Sequence, residues 1–409
     1  MKTFFCNKIV VLLLAFFAPV NLNIGGEVSP SFLFILATFP LWHKYLSVRK
    51  DKNLSYILRA FVILIITQII WALFAETSIL DQVKGISIVV SGLFIFMYYY
   101  MIYQNDRELV KWAVLGTFLS SFFFINVLVE MEGTYFGMWK FQIMPRLVTL
   151  CALIYLWGIN KKKLIKVAPI LFIGIGCLGV ATGARSVGLV PLLAGFLTLI
   201  LQFKRKVRIK SFILLFIVLA YAAFATLYVP NVLNGRIKGG NTEQLMHVEN
   251  PYNPINLLMF GRGTSIIPFM AFIDRPITGW GYLTPDPHGK YHKIALNLQS
   301  EEEYRVFRYE KEDPIPRHSG WGYIACSYGL IGFLSIFFIL KRSLSVLFSS
   351  LVAKDKYLLY RIFIALGFLW DLIFSPLAHF KYNTSALAII IIFSVAALKE
   401  YHSPAAKMK

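Results

Sequence analysis

Charge is what this sequence lacks most. Only 15% of its 409 residues are Asp, Glu, Lys or Arg, against about 25% in a soluble domain. Cysteine is scarce as well. Cys6, Cys151, Cys177 and Cys326 all lie in or beside apolar runs. That placement excludes a disulfide framework and offers no thiolate spacing for a metal, so the four are read as small packing residues. No glycine-rich nucleotide loop is present, which argues against an ATPase and against a sugar-nucleotide enzyme of the cytoplasm. There is no internal repeat, no low-complexity tract and no soluble domain at either end. The acidic runs Glu301-Glu302-Glu303 and Glu312-Asp313 read as solvated surface before they read as a cation site. Neither a metal nor a cofactor is expected.

What the chain has is apolar length. Hydrophobic residues make up 57% and aromatics 16%. Runs of about 17–22 apolar residues are long enough to cross a hydrocarbon core as helices. They are expected at 8–23, 30–43, 57–75, 85–103, 109–129, 143–159, 164–182, 187–203, 211–229, 320–340, 358–377 and 383–398. The fold class is therefore an all-α integral membrane protein of about twelve transmembrane helices. The first run is read as an uncleaved helix rather than a signal peptide, because so many spans follow it. Residues 1–229 hold nine helices, 230–319 one large polar loop, 320–398 three more helices, and 399–409 a short basic tail.

The formal net charge of +20 does not point to nucleic acid. The polar loop is neutral, with ten basic and ten acidic residues. The excess sits in alternate short loops, around Lys44–Lys52, Arg107/Lys111, Lys161–Lys163, Lys204–Lys210, Lys341/Arg342 and Lys354/Lys356. Clusters on one side of the spans follow the positive-inside rule. They put both termini in the cytoplasm and the polar loop outside, and add some affinity for anionic membrane lipid. Within the loop, 264–275 is expected as a short amphipathic helix capped by Thr264 or Ser265, with Pro268 in its first turn. Residues 276–281 form a turn cluster and 282–300 a loop.

Ionisable residues at membrane depth are functional candidates by default. Arg59 and Arg361 fall near cytoplasmic ends, where they can snorkel. Seven others fall at or near the outer face: Arg146, Arg185, Arg262, Arg317, His318, Asp371 and His379. Each alone has a bland reading as a lipid-phosphate contact, an ion pair or a headgroup histidine. Together, beside one outer loop, they suggest a site for an anionic substrate. Arginines bind a diphosphate through paired, charge-assisted hydrogen bonds and can neutralise it as it leaves. A histidine with an ordinary value near 6.5 can take a proton from a sugar hydroxyl. Twelve helices also suit a transporter or flippase, which would place ionisable residues at mid-membrane between repeated halves.

Several stretches resemble the O-antigen ligase and O-antigen polymerase superfamily of bacterial envelope polysaccharide enzymes. They are Thr182-Gly183-Ala184-Arg185-Ser186, then Gly261-Arg262-Gly263 with its following helix, and Asp274-Arg275-Pro276-Ile277-Thr278-Gly279-Trp280-Gly281. Arg317-His318-Ser319-Gly320-Trp321-Gly322-Tyr323 and Tyr328-Gly329-Leu330-Ile331-Gly332 complete the set. The resemblance covers about residues 165–340, and the family commonly has His-Asn where this chain has His318-Ser319. It implies a glycosyltransferase C-like helical bundle in the bacterial inner membrane, with the loop periplasmic. It also implies a donor glycan on undecaprenyl diphosphate, and as acceptor lipid A-core (a ligase) or another lipid-linked glycan (a polymerase). By the same resemblance, Arg185 and Arg262 bind the donor diphosphate and His318 is the catalytic base of an inverting, metal-independent transfer. Arg146, Arg317, Asp371 and His379 are added from position alone.

Overall fold

In this computed structural model the described residues are mostly helical. The structure describes residues 2–20, 22–23, 27–46, 51–74, 77–124, 138–203, 218, 221–222, 224–236, 250–253, 256, 263–297, 313–316, 318–376 and 380–403. The main helices are α1 (Lys8–Phe17), α2 (Pro30–Ala37), α3 (Lys52–Ala72), α4 (Ile79–Asn105), α5 (Val110–Phe123), α6 (Met144–Trp157), α7 (Lys162–Ala181) and α8 (Arg185–Phe203). After them come α9 (Ile267–Asp274), α10 (Lys290–Asn297), α11 (Gly320–Ser350), α12 (Leu358–Phe374) and α13 (Phe380–His402). A two-residue antiparallel pair, Leu22↔Val28 and Asn23↔Glu27, separates α1 from α2.

Among the described residues, six helices are long and apolar enough to cross a membrane: α3, α4, α7, α8, α11 and the Asn383–His402 part of α13. This is a multi-pass, all-α membrane protein. The helices at the expected spans 8–23, 30–43, 109–129, 143–159 and 358–377 are shorter, and most of 211–229 lies outside the described residues. In the fourth of these, α6 continues a π-turn over Trp139–Ile143. Pro145 has no N–H for the Phe141 carbonyl, so the ladder slips by one residue there.

The bundle is built around α4, which presses against α13 and α3 and buries Tyr98, Tyr99, Tyr100 and Tyr103. Helices α7 and α8 form the tightest pair. A Cβ on Gly179 would lie 2.8 Å from the Gly188 Cα, and one on Gly176 2.6 Å from the Leu192 nitrogen. Small residues here let two backbones touch, which in lipid replaces the missing hydrophobic drive for association. Arg59 is exposed as expected. Arg361 does not snorkel: it is fully buried, ion-paired to Asp355, and donates to Ser350 Oγ (2.7 Å) and the Ala353 carbonyl (3.2 Å). It ties down the 351–357 turn instead.

Helix α11 departs most from its expected span of 320–340. Gly329, at φ 62° and ψ −153°, breaks it. A straight helix would separate residues 321 and 333 by about 18 Å, yet the Trp321 and Phe333 rings stack 5.0 Å apart. A Cβ on Gly332 would meet the Ile324 carbonyl oxygen at 2.7 Å. The chain therefore doubles back at Gly329. Residues 320–328 form a buried short helix lying alongside the start of 330–350, and that second segment has the length of a full span, about 31 Å.

A break inside a helix frees carbonyls and N–H groups that must be satisfied nearby. Here the 276–281 turn satisfies them. Trp280 N–H donates to the Cys326 carbonyl (2.8 Å), Gly281 N–H to Ser327 (2.9 Å), and Leu330 N–H to Pro276 (2.7 Å). Gly279, at φ 70°, allows the approach; a Cβ there would stand 2.6 Å from the Cys326 and Ser327 carbonyl oxygens.

Gly329→Ala is expected to lower the thermal midpoint of the purified protein clearly. The backbone region alone costs a non-glycine residue about 1–3 kcal/mol, and the new Cβ would lie 2.1 Å from the Ile277 oxygen. Gly174→Ala, on α7 with nothing within 4 Å, is the control and should leave the midpoint unchanged or raise it. Equal midpoints for the two variants would contradict the break.

Candidate functional site

The described part of the polar loop, chiefly 263–297 and 313–316, is a lobe fastened to the break. Its α9 begins at Ile267, after a 3-10 turn at Gly263–Ser265, and has Pro268 in its first turn. Neither Thr264 nor Ser265 caps it. Ser265 Oγ instead donates to the His318 carbonyl at 3.1 Å. The expected loop at 282–300 contains a second helix, α10, whose first N–H groups are taken by a buried carboxylate. Asp286 accepts from Tyr291 N (3.1 Å) and His292 N (2.6 Å) and faces His292 Nδ1 at 2.7 Å. A small core of Ile267, Ala271, Tyr291, Ala295 and Ile315 closes on Cys326 of the short 320–328 helix. The two arms of the lobe are clasped by Asp286 N–H to the Asp313 carbonyl (3.1 Å) and Ile315 N–H to Thr284 (3.1 Å).

Those contacts fix the residues around His318. Ser319, fully buried, caps the short helix by accepting from Gly322 N–H at 3.1 Å. Gly322 leaves room for the Phe269 ring, 2.8 Å from where a Cβ would be. Trp321 stands edge-on to Phe269 (6.2 Å). His318 thus lies half-buried just before the N-terminus of a nine-residue helix, the positive end of its dipole.

Asp371 comes to the same place from α12. The end of α12 lies against Gly320, where a Cβ would be 3.5 Å from the Leu372 carbonyl oxygen. Gly320 and Asp371 share the walls of one narrow crevice with Phe368, Leu372, Pro376 and Asn383. Ser375 donates to Asp371 Oδ1 at 3.1 Å.

Arg185 opens α8 directly after Gly183 (φ 86°) and buried Ala184. Thr182, the last residue before that turn, accepts from Trp139 Nε1 at 2.7 Å. The register of α8 against α12 is antiparallel. Lys354 donates to the Gln202 carbonyl (3.3 Å) at one end, and a Cβ on Gly367 would lie 3.9 Å from Val190 Cγ1 nearer the other. Continuing that register sets Arg185 level with Asp371 and Leu372. The Arg185 guanidinium also lies 5.8 Å from the Tyr228 ring, where the lobe begins.

Arg185, His318 and Asp371, three of the seven candidates, therefore share one end of the bundle. Arg146 is engaged elsewhere: it donates to the Ser121 carbonyl (Nε, 3.1 Å) and lies 4.6 Å from the Phe122 ring, closing the C-terminus of α5. Arg262, Arg317 and His379 lie outside the described residues. Sequence reasoning passed over Tyr228, the bond from Ser265 to the His318 carbonyl, and the docking of Trp280 and Gly281 on Cys326 and Ser327. The available signal was three glycines, Gly279, Gly281 and Gly329, in two adjoining polar-apolar borders. All three adopt positive φ.

Beside the site, Asp274 accepts from Lys290 Nζ and Tyr291 Oη, both at 2.5 Å. These bonds, Lys290 first, lower its carboxyl below the usual aspartate value. A lowered folded value contributes stability that is full above the unfolded value of about 3.9 and is lost as pH falls below it. Asp274→Asn should therefore reduce lobe protection in hydrogen exchange at pH 6 and make the decline of that protection below pH 4 shallower than in the wild type. An unchanged acid limb in the variant would assign that decline to other groups.

Compared with known proteins, the chain matches no protein-family model and no curated protein.

Proposed function

We propose that this protein is a glycan transferase acting at the outer face of a bacterial inner membrane. It moves a glycan from an undecaprenyl-diphosphate carrier to an acceptor sugar, with lipid A-core as the favoured acceptor. A repeat-unit polymerase would use the same chemistry on a lipid-linked acceptor. What supports the reading is the meeting, at one end of the bundle, of stretches far apart in sequence. Arg185 opens α8 there, the 276–281 turn docks onto the helix break there, and His318 begins the short helix beside Asp371.

The reaction needs little more than these groups. The acceptor hydroxyl loses its proton to the His318 imidazole as its oxygen attacks the anomeric carbon. The bond from that carbon to the diphosphate oxygen breaks, and the electron pair leaves with the diphosphate. One displacement inverts the anomeric centre. Arg185 and Arg262 bind the departing diphosphate, and guanidinium pairs can carry its charge without a metal ion. The N-terminus of the 320–328 helix adds backbone N–H groups and a dipole that favours the anionic diphosphate.

His318→Ala should reduce transfer by at least a hundredfold, the scale of a lost general base, while the protein still inserts and expresses. Arg185→Ala should do the same, and Arg185→Lys should recover little, because a lysine cannot bind a diphosphate through two parallel bonds. Normal surface-glycan profiles in cells carrying either alanine variant would defeat the mechanism. EDTA should leave the purified protein active; a strict Mg²⁺ requirement would shift attention to the acidic runs of the loop.

A further inference from the structure

The opposite end of the bundle holds a cavity that the transfer chemistry does not use. It occupies about 480 Å³ between the first turn of α3 and the last turns of α11 and α13, within the range of about 300–1,000 Å³ usual for ligand pockets. Its polar walls are Asn53, Arg342, Ser345, Ser349, Lys399 and His402. Two of these carry buried atoms with no hydrogen-bond partner, Asn53 Oδ1 and Arg342 Nε. A buried polar atom left so costs about 1–3 kcal/mol, and native proteins normally satisfy it with a partner or a ligand.

The cavity is positive. Arg342 and Lys399 line it with His402, and among the described residues no carboxylate does. The nearest acids are already engaged. Asp51 accepts from Tyr100 and from the N–H groups of Asn53 and Leu54, and Glu400 pairs with Arg107 at 2.8 Å. A guanidinium and an ammonium lining one hollow fit a phosphate.

The remaining walls indicate what carries that phosphate. Val346, Val395 and Leu398 are apolar. One helical turn before Arg342, Phe338 is 39% exposed and meets the Tyr56 ring of α3 at 6.5 Å. Arg342 itself lies 5.8 Å from that Tyr56 ring. Tyr56 and Phe338, both exposed, thus form an apolar edge of the α3/α11 contact beside the cationic cavity, against which an acyl chain can lie and for which a free ion has no use. This end also carries the basic short loops, which the positive-inside pattern assigns to the cytoplasmic leaflet. Basic pockets between helices at that level suit anionic lipid headgroups.

We propose that this cavity binds the headgroup phosphate of an anionic phospholipid, with one acyl chain against that α3/α11 edge. Full-length protein would be exchanged into bilayer discs holding equal phosphatidylglycerol and phosphatidylcholine, and the retained lipid counted by native mass spectrometry. The wild type should retain phosphatidylglycerol preferentially. Arg342→Gln/Lys399→Gln should lose that preference at least tenfold, while Lys341→Gln, at an exposed neighbouring position, should keep it. Ser345→Trp, a surface position that fills the cavity without removing charge, should lose it as the double variant does, which separates blocked binding from misfolding. Equal retention by wild type, double variant and Ser345→Trp would overturn the proposal. Complete displacement of the lipid by inorganic phosphate would overturn it too, by reassigning the cavity to a free anion.

Discussion

The structure depends on how the backbone groups freed at Gly329 are satisfied. In a low-dielectric interior each unpaired N–H or carbonyl costs several kcal/mol, so a helix can break there only if another segment takes over its bonds. The 276–281 turn does so with three backbone hydrogen bonds. That single constraint couples the lobe to the membrane bundle. It folds residues 320–328 back beside 330–350, fixes where His318 and Ser319 lie, and holds Gly279, Gly281 and Gly329 at positive φ, where a side chain is strained.

Much of the fold follows from composition. Low charge and long apolar runs give an all-α membrane protein, and five of the six membrane-length helices among the described residues overlap expected spans, while in the sixth, α11, the full span starts only at residue 330. The break was hidden because Gly329-Leu330-Ile331-Gly332 is as apolar as any span interior, and hydropathy does not register one φ angle. Helix α10 was hidden for the opposite reason. Lys290–Asn297 is polar enough to read as loop, and its N-terminus is held by Asp286, whose role rests on tertiary burial. Arg361 looked like a snorkelling residue because its partner, Asp355, comes from a turn whose fold the sequence does not reveal.

The candidate site was legible as residue types near one membrane face. It was not legible as an arrangement. Position along a span gives depth, and so Arg185, His318 and Asp371 could be grouped. Arg146 has similar depth yet faces the end of α5. Only packing separates a cation that closes a neighbouring helix from one that lines a shared end of the bundle. The same holds for the basic loops. Read as a topology signal, they conceal that Arg342 and Lys399 converge with two orphaned polar atoms on one cavity.

In the proposed function, chemistry belongs to the end of the bundle that carries His318 and lipid recognition to the other, and everything rests on covalent transfer. Purified protein in liposomes, supplied with a glycan on radiolabelled undecaprenyl diphosphate and an acceptor glycolipid, tests that transfer most directly. Free undecaprenyl diphosphate and a lengthened acceptor, formed without nucleotide, are expected. Intact donor moved from one leaflet to the other, with no bond broken, would contradict transfer and make the protein a transporter.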